Sequence, residues 1–295
     1  MRFCAISAFV HPNHLLELAP VAEEHGWDTL AISDHVLHPE TIESRYPYGE
    51  DGSRMWDEKT PWPDVWVATG MMAAITKKLR FFQSVYVLPM RDPFHVAKAI
   101  GTVAVMSNYR ISLGLGLGWM RDEFELLGRP FEQRGARTDE MIDVMRKLWT
   151  GEYVEHHGRF YDFPRLSMSP GMEEDIPVIV GGISDAALRR VARLGDGWAP
   201  AYLTIDQVAE KVAQIKRYQE EYDRSGHPLS VYTTCIDATG LDDFRRMEEI
   251  GVTDLMAVPW TLYDEGLDWL DPTGSPLPKM IDSLKRFADD IIAKF

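Results

Sequence analysis

An acid and a histidine stand side by side at Asp34-His35, at the end of the apolar run "DTLAISDH". Histidine exchanges protons near neutral pH, so the pair suits general acid or base work, with His35 carrying the proton and Asp34 orienting it. The plainer alternative is a structural histidine held by hydrogen bonds. Another feature is "RISLGLGLGW" at 110–119, where Gly114, Gly116 and Gly118 alternate with leucines. A backbone this bare serves a tight turn, or a loop pressed against a phosphate or a flat ring. Its G-x-G-x-G spacing is not the G-x-G-x-x-G of a dinucleotide fold. In "VGGISDAALRR" the glycines Gly181 and Gly182 end a strand, and Ser184 or Asp185 can cap the helix that follows. The open N–H groups of such a helix start attract an anion, and a flavin-type phosphate fits that description.

Other groups carry weaker signals. His11-x-x-His14 and His35-x-x-His38 offer imidazoles at loop spacings that do not specify a metal, and no metal is assigned. Trp56, Trp62, Trp66, Trp119, Trp198 and Trp260 include several near loop ends, where aromatic rings can wall an apolar pocket; packing explains any one of them equally well. Arg134 and Arg137 are read as ion-pair partners of Glu123 and Asp139, with an acidic cofactor tail as the alternative.

These residues need elements to hold them. Short apolar runs at 2–10, 28–35, 80–88, 109–115, 176–182, 196–202, 229–237 and 253–260 read as strands. Helical stripes lie between them, such as Val96, Ile100, Val103 and Met106, or Val208, Val212, Ile215 and Tyr218. Eight alternating units predict parallel strands with right-handed crossovers, and so an α/β fold of the (β/α)8 TIM-barrel type, a single domain over 1–295. Insertions at 36–62 and 152–175 exceed ordinary loops. The 36–62 insertion follows a strand's C-terminal end, the side on which barrel active sites lie. The 152–175 insertion reads as a small hairpin.

The chain's 295 residues carry a net charge of −15, which argues against nucleic-acid and anionic-membrane partners. Cys4 and Cys235 read as buried thiols rather than a disulfide. No leader or spanning segment is expected, so the default location is cytoplasmic. A closed two-fold homodimer is the default assembly.

Taken as an ordered set, "LPMRDPFHVAKAIGTVAVMS", "RISLGLGLGWMRDEFELLGRPFEQRGARTDEMIDVMRKLWTG" and "IPVIVGGISDAALRRVARLGDGWAP" resemble the luciferase-like oxidoreductase superfamily, in particular its coenzyme F420 (deazaflavin)-dependent group. The resemblance spans nearly the whole chain. It implies a tricyclic cofactor across the C-terminal mouth of the barrel. Ser84 and Val85 match a non-proline cis peptide that supports the ring, Gly116, Leu117 and Gly118 a loop along the cofactor, and Gly181 and Gly182 a phosphate loop. Asp34 and His35 match a pair beside the reactive ring edge. On this view the glycines are bare because the cofactor lies close. The resemblance implies hydride transfer between F420 and a small organic substrate. The alternatives are an FMN-dependent monooxygenase and a cofactor-binding protein without catalysis. One departure is Ala104, where the family carries an acid.

Overall fold

A computed structural model describes residues 1–49, 51–54, 56–263 and 277–295. The strands are β1 (Arg2–Ile6), β2 (Thr29–Ile32), β3 (Arg80–Gln83), β4 (Tyr86–Val87), β5 (Ile111–Gly116), β6 (Val154–His157), β7 (Asp162–Leu166), β8 (Val178–Gly181), β9 (Gly197–Ala199), β10 (Ser230–Thr233) and β11 (Asp254–Ala257). Eight of them, β1, β2, β3, β5, β8, β9, β10 and β11, pair in parallel in that order, and β11 returns to β1. This is the closed (β/α)8 barrel that the alternation predicts. The helices are α1 (Pro12–Glu24), α2 (Val65–Ile75), α3 (Pro93–Met106), α4 (Arg121–Leu126), α5 (Arg134–Trp149), α6 (Asp185–Leu194), α7 (Ile205–Glu221), α8 (Leu241–Glu249), α9 (Pro259–Tyr263) and α10 (Leu277–Asp290). Strands β6 and β7 form the hairpin expected in the 152–175 insertion, pinned by Glu140 of α5, which accepts hydrogen bonds from the N–H groups of Arg159, Phe160 and Tyr161.

Alternation along each strand divides two cores. Cys4, Ala31, Phe82, Ile179, Ala199, Tyr232 and Met256 come from seven barrel strands and fill the interior, where Phe82 and Tyr232 stack at 4.4 Å. Residues of the opposite parity, such as Leu30, Phe81, Leu113 and Leu255, pack outward with the helices. In register with these, β5 turns Ser112 and Gly114 inward. A Cβ on Gly114 would strike the Phe82 ring and the Gln83 carbonyl, so the glycine makes room for the phenylalanine.

The predicted strand at 80–88 is broken in two. Ser84–Val85 is a non-proline cis peptide, and beyond it β4 pairs with β5. The predicted strand at 2–10 also ends early, because the chain leaves the sheet after Ile6 and Phe9 takes φ +65°. Among the described residues no helix is long and apolar enough to cross a membrane.

Candidate active site

The C-terminal ends of the strands bring most of the singled-out residues to one mouth. After β2 the chain runs through Ser33, Asp34 and His35. Ser33 Oγ donates to the Ser84 carbonyl at 2.9 Å, and Ser84 N–H donates to the Ile32 carbonyl at 2.8 Å. Asp34 is buried, and it accepts from Val87 N–H at 2.9 Å and from both terminal nitrogens of Arg91, one of them at 2.7 Å. Arg91 also donates to the Val87 carbonyl and lies over the Tyr86 ring at 4.3 Å. Asp34 therefore does not orient His35. Its two oxygens are spent on Arg91 and Val87, and it fixes the turn that carries the cis peptide.

The partner of His35 is Glu123 on α4. The His35 Nδ1 to Glu123 Oε2 distance is 2.9 Å, while Glu123 Oε1 accepts from Val36 N–H at 2.6 Å and Leu37 N–H at 3.3 Å. Glu123 is only 1 % exposed. Burial pushes its carboxyl up, but the His35 hydrogen bond and charge and the two backbone N–H groups outweigh that and hold it below its ordinary range. An ionised Glu123 can only accept, so in this contact His35 Nδ1 is the donor. Asp122, its neighbour on α4, accepts from the N–H groups of Glu43 and Ser44 and from Ser44 Oγ. Two successive carboxylates of one short helix thus hold the start of the long 36–62 segment. Sequence reading pairs Glu123 with an arginine. Nothing local in "WMRDEFE" marks its contact with a histidine 88 positions away.

The arginines behave differently from expectation. Arg134 lies over the Phe131 ring at 3.7 Å and donates to the Gly118 carbonyl, while Arg137 donates to the carbonyls of Pro130 and Glu132. Asp139 is taken by Arg190 and Arg193 instead. The helix start turns Arg134 and Arg137 back onto the carbonyls before α5, which leaves them out of reach of both predicted acids.

Val85 sits among the glycines. A Cβ on Gly116 would strike Val85 Cγ2, and one on Gly181 would meet Val85 Cγ1 at 3.2 Å and the Leu115 carbonyl at 3.1 Å. Gly118 has φ +76°, and a Cβ there would lie 2.6 Å from Val87 Cγ1. So the room at Gly114, Gly116 and Gly118 is filled by the chain's own 82–87 segment. Internal packing, the alternative that the sequence left open, already requires the bare backbone at these three positions. Leu117 lies against α5, with Cδ1 3.6 Å from where a Cβ of Gly135 would stand.

Gly182 has φ +107°, a conformation that favours glycine, and its carbonyl accepts from Trp198 Nε1 at 2.7 Å. Ser184 caps α6 by accepting Ala187 N–H. The side chain of Asp185 turns to α7, where it meets Tyr218 and Gln214, and to Arg189. The first-turn N–H groups of Asp185 and Ala186 are then the open donors of the helix start. Gly181 lies against Val85 and Gly182 against Ala187 of this helix start, an arrangement that the phosphate of a flat cofactor would fit.

Aromatic rings roof the mouth. Around His35 stand Trp62 at 4.8 Å, Trp56 at 5.4 Å and Trp119 at 6.2 Å. Phe9 packs on Trp56 and Trp62, and Tyr46 on Trp56 and Trp119. Tyr48 stacks on Tyr202, beyond β9, at 5.2 Å. Sequence reading singles out the tryptophans but not Phe9, Tyr46 or Arg91. Trp198 and Trp260 belong to the core instead, and Trp66 packs on Tyr86. His11 and His14 lie ring to ring at 5.4 Å, and among the described residues no group of His, Cys, Asp and Glu is arranged to hold a metal.

The model of the luciferase-like monooxygenase family matches residues 3–250. The chain belongs to that family. An uncharacterised protein of Mycobacterium tuberculosis is 37 % identical over 297 residues, which cover all of both chains. An F420-dependent glucose-6-phosphate dehydrogenase of Gordonia bronchialis is 32 % identical over 203 residues, 67 % of this chain and 55 % of that protein. Among solved structures, an F420-dependent secondary alcohol dehydrogenase in complex with an F420-acetone adduct superposes with a TM-score of 0.76 at 15 % identity, over 99 % of this chain and 98 % of that one. The proteins to which this chain is similar in sequence thus include an F420-dependent enzyme, and the F420-dependent alcohol dehydrogenase shares its fold.

Proposed function

We propose that this protein is an F420-dependent oxidoreductase acting on a small organic molecule. The observation that carries the reading is the Glu123–His35 pair, which opens onto the same mouth as Val85, Gly181 and the start of α6. A deazaflavin, when bound, supplies or accepts a hydride and does not add oxygen. The chain does the rest. Asp185, Ala186 and the Gly181–Gly182 turn hold the phosphate. Ser84, Val85, Gly116, Leu117 and Gly118 support the ring, with Asp34 and Arg91 fixing the turn on which Val85 stands. His35 holds at Nε2 the proton that accompanies the hydride, and Glu123 stabilises the imidazolium. The 36–62 segment excludes water. The same reading takes the protein to be a homodimer.

The family's own description favours a different reading, in which FMN takes the same seat and oxygen is used. Titration of the purified protein with oxidised F420 and, separately, FMN, followed by fluorescence, decides between them. We expect micromolar or tighter F420 binding and weaker FMN binding. The reverse order would move the protein to the monooxygenases, and binding of neither would overturn both readings.

A further inference from the structure

We propose that the 45–49 stretch is a lid over the mouth, pivoting after Ser44 and latched by Tyr46 and Tyr48 onto Tyr202. The proposal rests on the oxidoreductase reading for what the lid admits, and it adds how access to that site is controlled.

His35 shows that something must move. Its side chain is only 10 % exposed, with Trp62, Trp56 and Trp119 packed around it. A proton carrier has to touch its ligand, so the rings over His35 must part when a ligand enters. Tyr46 ties this cover together. It lies 5.1 Å from Trp56 of its own segment and 5.2 Å from Trp119 beyond β5. Lifting Tyr46 undoes that tie and loosens the cover of His35.

The segment's two attachments differ in kind. At the root, Asp122 and Glu123 accept N–H groups of Val36, Leu37, Glu43 and Ser44, charge-assisted bonds that fix it. From Arg45 to Ser53 the backbone hydrogen bonds among the described residues close on the stretch itself. Tyr46 N–H donates to the Gly52 carbonyl at 2.8 Å, and Gly52 N–H to the Gly49 carbonyl at 3.0 Å. What reaches the far side of the barrel is two side chains. Tyr48 stacks on Tyr202 at 5.2 Å with 24° between planes, and the phenols of Tyr46 and Tyr202 share a hydrogen bond. Tyr48 and Tyr202 are 39 and 47 % exposed, so their separation uncovers little surface. A fixed root, a self-contained tip and a shallow contact at the far end are the parts of a hinge and a latch. The backbone at the latch is unusual as well. Tyr202 has φ +60°, a left-handed conformation that bulky residues rarely adopt and that gathers at ligand clamps. Phe9, the barrel ring that packs on Trp56 and Trp62, has φ +65°.

The test labels histidines with diethyl pyrocarbonate in the full chain without added cofactor, and reads each site by peptide mass spectrometry. His95, with a 92 % exposed side chain, sets the reference rate, and His156, 8 % exposed on β6, reports any loosening of the fold. Tyr202→Asn removes the ring and suits a positive φ. It is expected to speed labelling of His35 about tenfold or more, the combined loss of a ring stack and a hydrogen bond, with His95 and His156 unchanged. Tyr48→Ala leaves the Tyr46–Tyr202 hydrogen bond and should give a smaller rise of about threefold. It carries the test if Tyr202→Asn does not fold. Equal His35 labelling in the wild type and the variants would overturn the latch. So would a parallel rise at His156, because Tyr202 would then hold the fold and not a lid. Titrating the same proteins with F420 and FMN keeps the two readings apart. If neither cofactor binds, the oxidoreductase reading fails, while the labelling of His35 still decides the lid.

Discussion

Glu123 and His35 form the one buried acid–imidazole contact at the mouth among the described residues, and each needs the other. Without Glu123, the proton on His35 would be free to sit on either ring nitrogen, and the imidazolium would lose its counter-charge. His35→Ala should lower the turnover rate by about 100-fold or more with cofactor affinity little changed, the usual share of a positioned proton carrier. Glu123→Gln should fall between that variant and the wild type, and it should shift the pH profile of turnover because the histidine loses a charged partner. Steady-state rates against pH for the two variants check this. If Glu123→Gln matched the wild type at every pH, the acid would have no part in setting the state of His35.

The same carboxylate makes a stability prediction. Its folded value lies below its ordinary one, so it stabilises the fold at neutral pH, and that contribution is lost as the pH falls through the lowered value. The melting temperatures of wild type and Glu123→Gln should therefore converge on acidification below the ordinary glutamate range and be furthest apart near neutrality. Thermal melts over a pH series read this directly.

At the scale of elements, α4 is a clamp as well as a helix. Asp122 takes the N–H groups of Glu43 and Ser44 and the Ser44 hydroxyl, and Glu123 takes those of Val36 and Leu37. Charged acceptors of backbone N–H groups are among the stronger protein hydrogen bonds. Asp122→Ala should release the 43–45 stretch, and trypsin should cut after Arg45 about tenfold faster or more. Timed digestion compares the two proteins, and unchanged cutting would mean that the segment is held by its aromatic contacts alone.

The barrel was readable because each strand is an apolar run and each helix an apolar stripe, patterns that local sequence carries. Strand breaks were less visible. The strand propensity of "RFFQSVYVL" does not show that the sheet turns aside at Ser84–Val85, since both halves favour strands; the family resemblance is what marks the cis peptide there, and the structure has it. The site followed the same rule. His35, the tryptophans and the paired glycines stand out by type and position. The partners that define their roles do not: Arg91 lies 57 positions from Asp34, and Glu123 lies 88 from His35. Side-chain pairing across a closed barrel is set by which strand ends converge, and only the folded chain reveals that.

For the molecule as a whole, α2 stands out against a chain of net charge −15. The helix has no charged residue, yet Val67, Met71 and Ile75 are 64, 53 and 50 % exposed along one stripe. Two acidic chains that meet must do so where repulsion is least, and a stripe that faces its own copy satisfies the two-fold rule. We expect the protein to sediment as a dimer and Met71→Asp to shift it toward monomer, with the melting temperature of the monomeric fold little changed. Sedimentation of both proteins at matched concentrations checks it; a wild-type monomer would leave the stripe without this role.

The wall of the mouth has an uneven origin. Tyr46, Tyr48, Trp56 and Trp62 all come from one stretch between β2 and α2, while the barrel lends Phe9, Trp119 and Tyr202. β2 and β9 stand opposite each other in the ring of eight, so the Tyr48–Tyr202 stack carries that stretch across the full width of the opening. His35 and most of the rings around it are therefore written in separable parts of the gene. Under the proposed function, exchanging the 46–62 part of that stretch is expected to redraw the wall while leaving His35 and the start of α6 in place. A scaffold arranged this way can diversify by recombination at one locus, without renegotiating its core each time.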